Sequence, residues 1–178
     1  MLEIAHLFVG AAALTVLLAA AMQDVRQRLI ANRLSLALLA LGLARHALAA
    51  FVLGSLSWTI LLPAAAALAV FAVGYALWRA GGVGGGDVKL LAATAFFVGP
   101  ESIGVLIMVT TLVGGLLALG YVAWTALRSF AAMLWPTLVA PPASDNASTA
   151  RSPTIPYGVA IAVGAAVIIL PSLPTVLG

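Results

Sequence analysis

Residues 4–22 read IAHLFVGAAALTVLLAAAM. No charge interrupts them, and apolar residues fall on every side that a helix would present. A helix that is apolar all round belongs in a large core or in lipid, and this one is close to the ~20 residues needed to cross a bilayer. The rest of the chain offers no large soluble core to hide it. Of 178 residues, 64% are hydrophobic and 7% are charged, against about a quarter charged in an ordinary soluble domain. Such a chain cannot cover a water-facing surface, so lipid must be the solvent for most of it.

The stretch ends in small residues (Ala19, Ala20, Ala21), as a signal peptide does before its cleavage site. However, Glu3 stands where a signal peptide carries Lys or Arg, and Arg26, Arg28 and Arg33 follow the apolar run. That reverses the signal-peptide pattern, so the segment is expected to remain as a first membrane span. Working outward, five more apolar segments follow, at 34–53, 58–78, 88–98, 103–127 and 155–170. The breaks between them carry turn chemistry: Gly54-Ser55, the run from Gly81 to Gly86, Gly99-Pro100, and the long stretch 128–156. The expected fold is an all-α polytopic membrane bundle of about six transmembrane helices. The length suits one domain, and no internal repeat stands out.

Charge sets the orientation. With the N-terminus outside, six spans leave the loops 23–33, 79–88 and 128–154 inside. These hold Arg26, Arg28, Arg33, Arg79, Lys89 at the loop edge, Arg128 and Arg151, which is seven of the eight basic residues. Positive residues collect on the cytoplasmic side, which selects this orientation. The exception, Arg45, lies with His46 in the outer half of the second span, where both are expected to snorkel outward. In the last inner loop, Phe130, Met133, Leu134 and Trp135 suggest a short helix lying along the membrane surface. Residues 141–146 read as a polar linker, and Asn146-Ala147-Ser148, on the inner side, is a chance sequon.

Several chemistries are excluded. There is no cysteine, hence no disulfide, thiolate metal site or cysteine nucleophile. No metal-ligand spacing occurs, no serine lies in a defensible pattern with His and Asp, and no cofactor motif is present. The net charge of +3 contains no basic run, so it reads as membrane topology and not as a nucleic-acid footprint. His6 reads as a headgroup-level residue. Gly114-Gly115 and Gly164-Ala165-Ala166 read as close helix packing.

Only five acidic residues exist. Glu3 and Glu101 map to the outer side and Asp145 to the linker. Asp24 and Asp87 map to the inner side, at the ends of different spans. At Asp24, in Met22-Gln23-Asp24-Val25-Arg26-Gln27-Arg28, a solvated carboxylate paired with Arg28 four residues on is sufficient. At Asp87, in Gly84-Gly85-Gly86-Asp87-Val88-Lys89, a helix N-cap is a fair account. Three preceding glycines are more than a cap needs, and they admit the close approach of another backbone. Residues 87–98 make ~18 Å of helix, short of a ~30 Å hydrocarbon core. Either Asp87 lies below the membrane surface, as functional intramembrane acids do, or the outer end of this span is short.

Three stretches, in this order, resemble the type IV prepilin peptidases, which are GxGD-type intramembrane aspartyl proteases. They are Asp24 with Arg26, Ile30 and Asn32; Gly84-Gly85-Gly86-Asp87-Val88-Lys89-Leu90; and Pro156-Tyr157-Gly158-Val159-Ala160-Ile161. The resemblance extends over nearly the whole chain and is nearest to the short form serving Flp, or tight-adherence, pili. Longer members carry a cysteine-containing cytosolic region between the first two spans, tied to N-methylation of the new pilin N-terminus. Here that loop is 23–33 and cysteine-free, so no methyltransferase activity is expected. Ala31 stands where the family often has proline.

The resemblance implies a single peptidase domain over 1–178 in the bacterial inner membrane, with Asp24 and Asp87 as the catalytic pair facing the cytoplasm. The implied substrate is a prepilin with a short basic leader, cut after glycine, whose apolar helix stays in the bilayer. Pilus assembly machinery is an implied partner. Gly84, Gly85 and Gly86 would hold the substrate strand or donate N–H groups to the oxyanion. Lys89 would tune the dyad or meet acidic pilin residues, unless it is only a positive-inside anchor. Pro156, Tyr157 and Gly158 would line the site, unless they only start the last helix. Two other classes fit the intramembrane acids: an ion- or proton-coupled transporter, which would show interrupted spans in both halves, and a non-catalytic assembly subunit of a pilus or secretion complex, which would tolerate Asn at either acid.

Overall fold

The computed structural model describes residues 2–53, 56–134 and 156–173. Six α-helices account for nearly all of them: α1 Leu2–Gln27, α2 Asn32–Leu53, α3 Leu56–Arg79, α4 Gly85–Val98, α5 Ile103–Leu134 and α6 Tyr157–Ser172. A 3-10 turn, Pro100–Ser102, joins α4 to α5. There is no strand among the described residues. The protein is an all-α polytopic membrane bundle. By length and hydropathy α1, α2, α3 and α5 can each cross a membrane. The other two are shorter, with 14 residues in α4 and 16 in α6.

The short α4 is the hub. Val88, Leu90 and every residue from Ala92 to Val98 are buried, as expected for a helix apolar on all sides. Around it α1 packs on α2 and α6, α2 on α3, and α5 on α6, while α4 itself packs against α2, α3 and α6. Among the described residues, helices α3 and α5 meet at most marginally, so the ring is open between them. Leu17, Leu38, Leu90, Phe97, Leu106, Ile161 and Ile169 form the centre of the core. Large side chains such as Phe8, Leu36, Leu68, Leu112 and Leu116 face outward. That apolar exterior is what a lipid solvent requires.

Without a hydrophobic drive between helices in lipid, close backbone approach does the packing. A Cβ at Gly42 would lie 2.8 Å from Phe96, one at Gly74 2.9 Å from Val88, and one at Gly164 2.6 Å from the Thr110 hydroxyl. Gly114 is occupied in the same way by the Tyr157 ring, but Gly115 has nothing within 4 Å. The packing expected of the second glycine is therefore absent.

Two sequence expectations need correction. Arg45 and His46 do not turn outward. The Arg45 guanidinium donates to the Phe97 carbonyl at 3.0 Å, and His46 Nε2 lies 2.7 Å from the Phe96 carbonyl. Arg45 also stacks over the Phe97 ring, 5.1 Å from its centroid. The reason is the shortness of α4. Its last carbonyls end inside the bundle, away from water, and need donors. Gly99, at φ 86, turns the chain there, a conformation that favours glycine. Second, Phe130, Met133 and Leu134 do not form a separate surface helix: α5 runs unbroken through them to Leu134. Trp135, the linker 141–146, Asp145 and the sequon lie outside the described residues.

Candidate active site

Asp24 occupies the last turn of α1 and is 6% exposed. The helix stops just after it. Arg28 takes a left-handed φ of 53, and its N–H donates to the Asp24 carbonyl at 2.8 Å. The chain then crosses to α2, and the Ala31 N–H donates to Gln23 Oε1 at 3.2 Å, a bond that a proline at 31 could not make. The solvated carboxylate that topology favoured is instead a buried one.

Its partner comes from the far end of the sequence. The Gly158 N–H donates to Asp24 Oδ2 at 2.8 Å, across 134 residues. Gly158 is in the first turn of α6, following Pro156 at the N-cap. Amides there have no intrahelical acceptor, and their positive dipole end favours a carboxylate. A Cβ at 158 would stand 3.0 Å from both Asp24 Cβ and Oδ2. Only glycine lets the two segments come this close.

Asp87 arrives on α4. The N-cap of that helix is Gly84, so Asp87 is the third helical residue and not the cap that the sequence suggested. Its carboxylate folds back to the Gly84 amide, the reciprocal arm of a capping box. Each of the three glycines meets a close neighbour. A Cβ at Gly84 would lie 2.6 Å from Asp87 Oδ2, one at Gly85 3.2 Å from Trp78 Nε1, and one at Gly86 3.2 Å from Ile30 Cβ. The last contact matters most. It seats the loop that follows Asp24 on the start of α4, and so brings the two acids to one end of the bundle. Asp24 is near enough to Asp87 to act on it electrostatically.

The remaining expected residues divide. Tyr157 joins Asp87 on the wall of a cleft of about 530 Å³ that opens between α3 and α5. Lys89 does not face it. Its ammonium donates to Asn32 Oδ1 at 3.1 Å, tying α4 to the start of α2 and linking two of the motif stretches. Lys89 lines a separate groove of about 630 Å³ between α2, α3 and α4. Sequence reasoning passed over Gln23, Trp78 and the inward role of Arg45. The available signal was polarity: a glutamine and an indole at span ends and a guanidinium within a span each need a partner in lipid. Chemically, the site offers one carboxyl, Asp87, on the wall of an apolar cleft, and a second, Asp24, buried near it on a different helix. Among the described residues no three of His, Cys, Asp or Glu converge as a metal site would need.

Compared with known proteins, the sequence model of the type IV leader peptidase family matches residues 11–122. No curated protein and no solved structure matches the chain.

Proposed function

The chain belongs to the type IV leader peptidase family, and from that premise we propose that it is an aspartyl endopeptidase that removes the leader from Flp-type pilin precursors, with Asp24 and Asp87 as its catalytic pair. The observation that supports this reading best is the way the two acids are held. Gly158 fixes Asp24 at 2.8 Å, and the Gly86–Ile30 contact sets Asp87 within its field. A charge or a cap with no further role needs neither arrangement.

Two neighbouring carboxyls in a low dielectric share one proton. The ionised one takes a proton from water as the water oxygen bonds to the scissile carbonyl carbon. The protonated one gives its proton to the carbonyl oxygen. The C–N bond then breaks as the nitrogen takes the proton that the first carboxyl drew from water and leaves as the new pilin N-terminus. The second carboxylate regains a proton from a hydroxyl of the diol as the leader's carboxyl forms, which restores the dyad.

In this reading the protein is a single-domain enzyme of the bacterial inner membrane, the dyad faces the cytoplasm, and the cut pilin passes to pilus assembly machinery. The short loop 23–33 and the absence of cysteine go with cleavage alone, without N-methylation. Neither the transporter nor the assembly-subunit reading has an observation of its own in favour.

The test is co-expression with a tagged Flp-type prepilin. Wild type should remove the leader, and Asp24→Asn and Asp87→Asn should each lower cleavage by at least ~10²–10⁴-fold, the usual worth of a general acid or base. Cleavage surviving in both variants would sink the dyad. Mass spectrometry of the mature pilin should find a free, unmethylated amine.

A further inference from the structure

Among the described residues, successive helices around α4 pack on one another except α3 and α5, and Asp87 lies on the wall of the cleft between those two. Its other walls are apolar: Val73 and Leu77 from α3, Leu91 from α4, Ile107 from α5. Tyr157 stands beside Asp87 at one end, and Ile107 marks the other. From Ile107 to Gly115, which also lines it, is ~12 Å along α5, room for about two turns of helix. Anything entering sideways between α3 and α5 comes from lipid and must be apolar where it meets these walls.

Resting on the peptidase reading above, we infer that the α3–α5 cleft is the docking surface for the substrate's apolar segment next to the scissile bond. The occupant completes the ring by packing between Val73, Leu77 and Ile107, and it carries the scissile bond up to Asp87. The groove between α2, α3 and α4 is of similar size, but neither acid lines it. What distinguishes the α3–α5 cleft is that Asp87 lies on its wall.

The chain has no cysteine, so single cysteines can be placed at will. Val73→Cys and Ile107→Cys sit in the α3–α5 cleft, Leu36→Cys and Leu68→Cys in the other groove. The native side chains are similarly exposed, at 64%, 44%, 64% and 67% respectively, so mere accessibility does not favour one pair. Each would be combined with Asp24→Asn, to keep the substrate whole, and co-expressed with a prepilin bearing one cysteine in its apolar segment. Disulfide cross-links are expected at 73 and 107, at least ~10-fold above those at 36 and 68. Cross-links concentrated at 36 and 68, or at none of the four, overturn the inference. Cleavage of the same prepilin by the chain with Asp24 intact is run in parallel. If that fails, the peptidase reading falls, and the docking inference with it. If cleavage succeeds and the cross-links form elsewhere, only the docking inference falls.

Discussion

A methyl group added at Gly158 would stand 3.0 Å from Cβ and Oδ2 of Asp24. Either α6 retreats or the Asp24 carboxylate turns away, and both outcomes disturb the hydrogen bond that holds it. Overpacking of this kind costs ~1–3 kcal/mol, and an ångström of displacement at a reacting group costs ~10²-fold in rate. Gly158→Ala should therefore lower cleavage of a prepilin by ~10–10²-fold while the protein remains folded in detergent. An unchanged rate would mean that the contact does not position the acid. Thr110 gives the opposite case. Its buried hydroxyl has no hydrogen-bond partner, whereas Thr94 donates to the Leu90 carbonyl at 2.8 Å in the usual helical way. An unpaired buried hydroxyl costs ~1–3 kcal/mol, so Thr110→Val should raise stability by about 1 kcal/mol in a detergent unfolding titration. A loss of stability would reveal a partner for that hydroxyl.

At the scale of the element, α4 is the informative helix. It is too short to reach from one face of a bilayer to the other, and both its ends are therefore finished by protein groups. Gly84 and Asp87 cap the start. Arg45 and His46 take the final carbonyls. Replacing Arg45 by Leu leaves the Phe97 carbonyl without its donor, and a hydrogen bond from a charged group is worth ~1.5–3 kcal/mol. Arg45→Leu should lower the thermal midpoint in detergent accordingly, while the exposed Arg26→Ala should move stability by no more than ~0.5 kcal/mol. Equal effects from the two would argue that the cap carries no weight. The boundary of α5 teaches a second point. Its continuation through 128–134 follows from residues that favour helix, among them Arg, Ala, Met and Leu, with no Gly or Pro to stop it.

For the whole molecule the testable property is orientation. The sequence assigns seven of the eight basic residues to inner loops when the N-terminus is outside. In the cysteine-free chain, Ser102→Cys, in the turn before α5, should react with an impermeant thiol reagent added from outside. Ser129→Cys, near the end of α5, should react only once the membrane is opened. The reverse result would invert the bundle and put the acids on the wrong face for a cytosolic leader. The same global view explains why the catalytic reading and the docking reading are separable. The acids depend on contacts at one end of the bundle, and the cleft depends on the gap between α3 and α5.

The sequence by itself determined that this is a helical membrane protein with long apolar segments in a definite order. It also singled out Asp24 and Asp87 as the acids worth attention, through the stretches that carry the family resemblance. These are local properties: hydropathy over ~20 residues, loop charge, and short motifs. Only the tertiary structure decided that Gly158 holds Asp24, that Arg45 turns inward to finish α4, that Lys89 faces Asn32 and not the cleft, and that the ring opens beside Asp87. The physical reason lies in the solvent. A helix for lipid is apolar on every side, so its sequence has no hydrophobic stripe to say which face meets which neighbour. Those choices are made by glycines that admit close approach and by the few polar groups that must find partners away from water, and both depend on residues far apart in the chain.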